Sequence, residues 1–302
     1  MANALNLYWG ETHHNTYQQK RQEPDLRTIL KTASGHLDFY AAAYYMASQN
    51  FLPLAEGVEE AAEEEPVKGH PTEQLAQSGK RWNGVRFETQ KSDAQLEAEW
   101  KEVEEATAAE YVPHEFVTFP GYEWQGDTEW GDHNVFYKEE GNPIFSGPTL
   151  PGLYDSIRER DALAIPHHTA YKPGCRAPRW EYHEEALSPF VEIYSIHGCS
   201  EYDGHPENVR SNSHMGPGVG GATYEDLLNR GAHVGAIGST DNWTDSPGRW
   251  GHGLMACWAK ELTREGLWEA FRNRWVYGVT GDRIEMLLTG NGEPMGSILP
   301  AS

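Results

Sequence analysis

Short apolar runs alternate along this chain with stretches of helical periodicity, and no other feature restricts its fold as much. The runs "LNLYW" (5–9), "HLDFYAAAYY" (36–45), "EFVTFPGYEW" (115–124), "HNVFY" (133–137), "ALAIPHH" (162–168), "FVEIYS" (190–195) and "HVGAIGSTD" (233–241) read as strands, with "GLMACWA" (253–259) as a further candidate. Between them, 93–110, 153–161, 223–231 and 263–274 have helical periodicity, and "TYED" and "TREG" each open with a threonine cap candidate. Such alternation predicts an α/β fold, with β/α units laid around a largely parallel sheet.

Two segments break the alternation. Residues 46–92 are polar and irregular, too long for a simple connector, and read as an insertion. The tail "IEMLLTGNGEPMG" reads as two short strands around an "NG" turn. The expected organisation is a main domain over 1–283 and a short C-terminal β appendage over 284–302.

Composition narrows the partners. With 24 basic against 46 acidic side chains the net charge is −22, which repels nucleic acid and anionic membrane alike. A small-molecule substrate is therefore expected, with no nucleic acid and no membrane; oligomeric state is left open. No run of about 18 apolar residues occurs, and "MANALNLYWG" lacks the basic start and apolar middle of a signal peptide. The expected location is the cytoplasm. Cys175, Cys199 and Cys257 are odd in number and widely spaced, which suggests reduced thiols.

Chemistry is expected where the strands end, because active sites of parallel barrels gather at the C-terminal strand ends. His13, His14 and Asn15 follow the first run, Glu123 closes the third, His167 and His168 close "ALAIP", His197 follows "FVEIYSI", and Asp241 closes the seventh. His133 precedes its run, an exception if that strand is parallel to the others. A carboxylate such as Asp241 at the end of a buried strand needs a partner that offsets its desolvation, and a metal ion is one such partner. Imidazoles and carboxylates converging on one mouth suit a first-row divalent ion, zinc, manganese or iron, which acidifies water and makes hydrolysis the natural chemistry. The other histidines read as ordinary hydrogen-bonding residues. In "HGCS" (197–200) no activating signature surrounds the cysteine or serine.

Eight ordered motifs, "YWGETHHNT", "LDFYAAAYY", "GYEW", "DHNVFY", "IPHH", "VEIYSIHG", "GSTDNW" and "YGVTGDRIEM", resemble the PHP (polymerase and histidinol phosphatase) superfamily, in particular its branch known only as domain of unknown function 3604. The resemblance runs from about residue 7 to 296. It implies a distorted seven-stranded TIM-like (β/α)7 barrel carrying divalent metals. By position, His13 matches the first histidine of the paired motif and Asn15 replaces the second. Glu123 matches the bridging glutamate, His133 and His167 match two histidines of the neighbouring metal, and Asp241 matches the last aspartate. Tyr44 and Tyr45 stand where relatives have an aspartate and a histidine, and Trp243 where they have a histidine. One or two ions are therefore expected: one on Glu123, His133 and His167, the other on His13, Asn15 and Asp241 with Glu123 bridging.

The resulting expectation is a metal-dependent hydrolase acting on a phosphoester or related substrate, with Asp241, His197 and Glu123 as the catalytic candidates. Tyr45, Trp124 and Trp243 are expected to form a binding wall, with Lys172 and Arg249 holding a substrate anion. The alternatives are hydrolysis or elimination on a non-phosphate substrate, aromatic or glycosidic, and a non-catalytic binding protein on a degenerate barrel.

Overall fold

The computed structural model describes residues 5–17, 24–48, 89–127, 129–171, 176–202, 221–242 and 246–299. Its first part comprises β1 (Asn6–Glu11), β2 (Asn15–Thr16), α1 (Leu26–Ser34), β3 (Phe39–Ala41), β4 (Ala43–Tyr45), β5 (Ala47–Ser48), β6 (Thr89–Gln90) and α2 (Asp93–Glu110). The middle comprises β7 (Val117–Phe119), β8 (Gly121–Trp124), β9 (His133–Tyr137), α3 (Leu150–Ile157), β10 (Ala162–Pro166), β11 (Phe190–Ser195) and β12 (Gly198–Cys199). The last part comprises α4 (Tyr224–Asn229), β13 (Gly235–Gly238), β14 (Leu254–Ala259), α5 (Arg264–Arg272), β15 (Val276–Val279), β16 (Thr289–Gly290) and β17 (Glu293–Pro294).

The fold is mixed α/β, and its pairing departs from the largely parallel expectation. β1, β3 and β7 pair in parallel, as do β2, β4 and β8, and β11 with β13. β14 runs antiparallel between β1 and β15, and β9 antiparallel between β8 and β10. Among the described residues the ladders make three main sheets, in the orders β15-β14-β1-β3-β7, β10-β9-β8-β4-β2 and β12-β11-β13, rather than one closed ring. Two runs expected as single strands are each divided between sheets: "HLDFYAAAYY" breaks at Ala42 and "EFVTFPGYEW" at Pro120. Proline has no N–H to give the ladder. Next to it, a Cβ on Gly121 would lie 2.4 Å from the Ala42 carbonyl oxygen, so only glycine allows the two bends to nest.

The sheets enclose a cluster of aromatic side chains. Phe271 of α5 is fully buried, with ring centroids of Phe39, Phe119, Phe136 and Phe190 at 5.7, 5.8, 6.0 and 5.9 Å. One helical side chain thus joins rings from four strands, β3, β7, β9 and β11, and each such buried ring contributes about 1.5–3 kcal/mol. The third sheet leans on the first through β13 and β15, where a Cβ on Gly278 would fall 2.3 Å from the backbone nitrogen of Gly238. That glycine contact fixes the course of β13 and hence of the residues following it.

Local signals hold. Thr223 and Thr263 cap α4 and α5, and Thr223 forms a reciprocal capping box with Asp226. The hairpin β16–β17 turns through Asn291 and Gly292, both with positive φ. α1 was not anticipated, although Leu26, Ile29, Leu30 and Ala33 have helical spacing and Asp25 caps it by accepting from the Thr28 N–H. Of the insertion, residues 49–88 lie outside the described residues; β5 and β6 pair antiparallel at its two ends. Cys199 and Cys257 are free and buried, and Cys175 lies outside the described residues. No helix among the described residues is long and apolar enough to cross a membrane.

Candidate metal centre

The polar residues that follow β1 and β13 are tied together by one carboxylate. Glu11 is fully buried and accepts from the His13 N–H (3.0 Å), Ser239 Oγ (2.6 Å), the Thr240 N–H (3.0 Å) and the Gly248 N–H (2.9 Å). The Asp241 N–H donates to the His13 carbonyl at 2.6 Å, and the Asn15 N–H to the Asn242 carbonyl at 2.8 Å. Asp241 is held at φ 47°, a left-handed conformation that aspartate tolerates better than most residues. These backbone ties bring the side chains of His13 and Asp241 together: His13 Nε2 lies 3.2 Å from Asp241 Oδ1 and 3.7 Å from Glu123 Oε2.

The far side of the His13 ring meets β11. Nδ1 is 3.0 and 3.2 Å from the two carboxylate oxygens of Glu192, so an ionised Glu192 accepts from Nδ1–H and leaves Nε2 turned toward Asp241 and Glu123. His167 packs against His13 with ring centroids 4.2 Å apart, and its Nε2 lies 3.6 Å from Glu123 Oε1. His168, at φ 35°, stacks on Tyr171 and puts Nε2 3.4 Å from Asp132 Oδ2. Arg176 Nε donates to Asp132 Oδ2 at 2.6 Å, and its Nη2 pairs with the same oxygen. His197 Nε2 lies 3.1 Å from Asp241 Oδ2.

Five carboxylates, Glu11, Glu123, Asp132, Glu192 and Asp241, are buried around this point. Burial pushes Asp241 up to about 8 against the pull of His13, and pushes Glu192 up to about 7. Burial also raises Glu123, but His13 and His167 outweigh it and hold that carboxyl well below its usual range. For His13, burial works against the charged ring, yet Asp241 and Glu192 prevail and keep it well above the usual histidine value. Burial depresses His167 and His168 strongly, favouring neutral rings with lone pairs available.

The donor set fits a divalent cation. Glu123, Asp132, His167 and His168 each offer a ligand atom within 4.8 Å of the others, and so do His13, His167 and Asp241. Several buried atoms here have no hydrogen-bond partner: His13 Nε2, Asn15 Oδ1, Glu123 Oε2, Asp132 Oδ1, both nitrogens of His167, and Asp241 Oδ2. Unsatisfied buried polar atoms are costly, and a cation among them satisfies several at once.

The structure brings together His13, Asn15, Glu123, His167, His197 and Asp241 of the expected set. Asn15 reaches it through Nδ2, which donates to Asp241 Oδ1 at 3.2 Å. His133 falls in neither donor group. Its Nδ1 is 3.1 Å from the Gly131 carbonyl, its ring packs against Trp124 and Tyr154, and burial lowers it to about 4. β9 is antiparallel, so its first residue lies beside the ends of β8 and β10, pairing with Trp124 and Pro166. Asp132 before it faces Arg176 and His168, while the His133 ring turns toward Trp124. Trp124 likewise belongs to the core, fully buried with Nε1 donating to the Gly147 carbonyl at 2.8 Å, because its neighbour Glu123 takes the cluster side of β8.

Tyr45 approaches the centre at one remove: Gln125 Nε2 donates both to its hydroxyl (2.9 Å) and to Glu123 Oε1 (3.0 Å). Tyr44 points away and donates to Glu99 at 2.7 Å. Arg249 is exposed, outside the buried cluster, and Lys172 and Trp243 lie outside the described residues. Burial pushes the Cys199 thiol up to about 11, which leaves it a poor nucleophile at neutral pH. Asp132, Glu192, Glu11 and Arg176 were missed from sequence. Glu192 had a visible signal, a lone carboxylate inside an apolar strand, and Asp132 directly precedes "HNVFY"; Arg176 had none.

The fold and this cluster define the class, an α/β protein with a buried imidazole–carboxylate centre suited to divalent metal. Residues 220–293, which carry Asp241, match the model of the family described as "Protein of unknown function (DUF3604)", the branch that the motifs resemble. The chain is 27% identical over 216 residues to an uncharacterized protein of Chlamydia pneumoniae, covering 66% of this chain and 34% of that protein. It is 30% identical over 162 residues to an uncharacterized protein of Chlamydia muridarum, covering 50% of this chain and 25% of that one. The chain thus spans about a quarter to a third of the length of these curated relatives. Among solved structures, a two-domain Bacteroides vulgatus protein containing a predicted PHP-like metal-dependent phosphoesterase aligns over 92% of this chain and 66% of its own, with 11% identity and TM-score 0.49. The lesion-specific endonuclease PfuEndoQ of Pyrococcus furiosus aligns over 88% and 56%, with 12% identity and TM-score 0.44.

Proposed function

We propose that this chain is a metal-dependent hydrolase of the PHP type, acting on a phosphoester or related small-molecule substrate. The observation that carries the reading is the gathering of unpartnered buried donor atoms from Glu123, Asp132, His167, His13 and Asp241 into two adjoining groups that share His167. These residues, with His168, would hold one or two divalent ions, zinc, manganese or iron. When bound, such an ion supplies Lewis acidity and makes water nucleophilic near neutral pH.

The chain's own residues supply position and proton transfer. Glu192 orients His13, Glu11 orients the backbone of His13 and Thr240, and Asn15 steadies the Asp241 carboxylate. His197, whose Nε2 lies 3.1 Å from Asp241 Oδ2, would be the group beside that carboxylate that takes or releases a proton. A non-phosphate substrate is the second reading. It is favoured by the phenol of Tyr45, a neutral group where the resemblance implies a further ligand, which Gln125 links to Glu123.

Metal analysis of the purified protein and of Glu123→Ala tests the centre: the variant should fold and lose most of its metal, and unchanged stoichiometry would refute the assignment. A panel of phosphomonoesters, phosphodiesters including a DNA oligonucleotide, carboxyl esters and glycosides, run on metal-loaded and chelated samples, separates the two readings. Turnover confined to glycosides or carboxyl esters would overturn the phosphoester reading.

A further inference from the structure

The Glu123–Asp132–His167–His168 group already contains a positive charge. Arg176 donates from Nε to Asp132 Oδ2 at 2.6 Å, pairs with that oxygen through Nη2 as well, and holds Nη2 3.9 Å from Glu123 Oε1. Asp132 is fully buried and Glu123 is 2% exposed, so the guanidinium pairs with one carboxylate and lies beside a second that solvent barely reaches. Meanwhile Asp132 Oδ1, Glu123 Oε2 and both nitrogens of His167 lack hydrogen-bond partners. The arginine therefore partners one oxygen of Asp132 but leaves these other donor atoms unsatisfied.

We propose that Arg176 is a built-in occupant of this cation site, and that a divalent ion binds Asp132 and Glu123 in exchange for the guanidinium. The proposal rests on the metal-binding reading above. Arginine keeps its proton at any physiological pH, so it gives way by moving rather than by neutralising. Its side chain is 15% exposed, the most accessible partner in the pair with Asp132, and so has a route toward solvent. The exchange makes metal affinity here a difference between two cations competing for the same oxygens. The His13–His167–Asp241 group provides an internal reference within the same protein.

The test is titration of the metal-stripped full chain with Zn²⁺ alone, by calorimetry, for wild type, Arg176→Met, Asp132→Asn and the double variant. Arg176→Met should tighten binding at one site by at least about tenfold, and adding Asp132→Asn should abolish the gain. Affinity unchanged within twofold or weakened in Arg176→Met, or a gain that survives Asp132→Asn, would overturn the proposal. Should Arg176→Met fail to fold, the wild type still decides. In protein labelled with ¹⁵N-arginine, saturating Zn²⁺ should abolish the protected Nε–H signal of Arg176, and an unaltered signal would overturn the exchange. Zn²⁺ binding with no effect of Arg176→Met refutes the exchange alone, whereas no Zn²⁺ binding by wild type or any variant refutes the metal reading and the exchange with it.

Discussion

Glu192 embraces Nδ1 of His13 with both carboxylate oxygens, at 3.0 and 3.2 Å, from the middle of a strand whose neighbouring residues are apolar. A buried carboxylate in that position orients the imidazole and raises the basicity of its other nitrogen. Glu192→Gln preserves the volume and removes the charge, so metal affinity should fall by about 10- to 100-fold while the protein stays folded. Competition against a chromophoric chelator measures it. An unchanged affinity would mean that Glu192 only fills space.

Glu11 joins three segments, accepting from His13, from Ser239 and Thr240, and from Gly248. Glu11→Gln presents an amide N–H₂ to groups that are themselves donors, and should cost about 1.5–3 kcal/mol, the range for a hydrogen bond to a charged group. Denaturant unfolding at neutral pH reads the loss. Metal content of the folded fraction should fall as well, because the backbone of His13 and Thr240 is no longer held in register.

Acid stability should contain a contribution from Glu99. Burial raises this carboxyl, but Lys91 (2.8 Å), Gln95 (2.8 Å) and Tyr44 (2.7 Å) outweigh it and depress it below the usual value. A depressed folded-state value stabilises the protein above the unfolded value, about 4.3, and the benefit is lost as pH falls through the folded-state value. The stability difference between wild type and Glu99→Gln should accordingly be constant from pH 7 to about 5 and shrink below that. Unfolding midpoints of the two proteins across this range decide it; a difference that grows toward acid would reverse the sign.

What the sequence determined by itself is local. "HNVFY" and "FVEIYS" are strands over the expected residues, α2 has the expected bounds, both threonine caps form, and the "NG" turn closes its hairpin. Each of these depends on dihedral preferences or on hydrogen bonds spanning a few residues. The collection of His13, Glu123, His167, His197 and Asp241 in one buried cluster was legible because polar side chains that interrupt apolar runs must be satisfied somewhere. Tertiary structure decided which neighbour faces inward. At Glu123–Trp124 on β8, and at Asp132–His133 where the chain enters β9, adjacent residues diverge, so a one-residue difference in register exchanges a cluster carboxylate for a core ring, and only the pairing of β9 with β8 and β10 sets that register. It also decided charge balance. Arg176 and Glu192, 44 and 179 residues away from the partners they bind, carry no local mark of those partnerships, because ion pairs and imidazole orientation depend on distances that exist only once the sheets are packed.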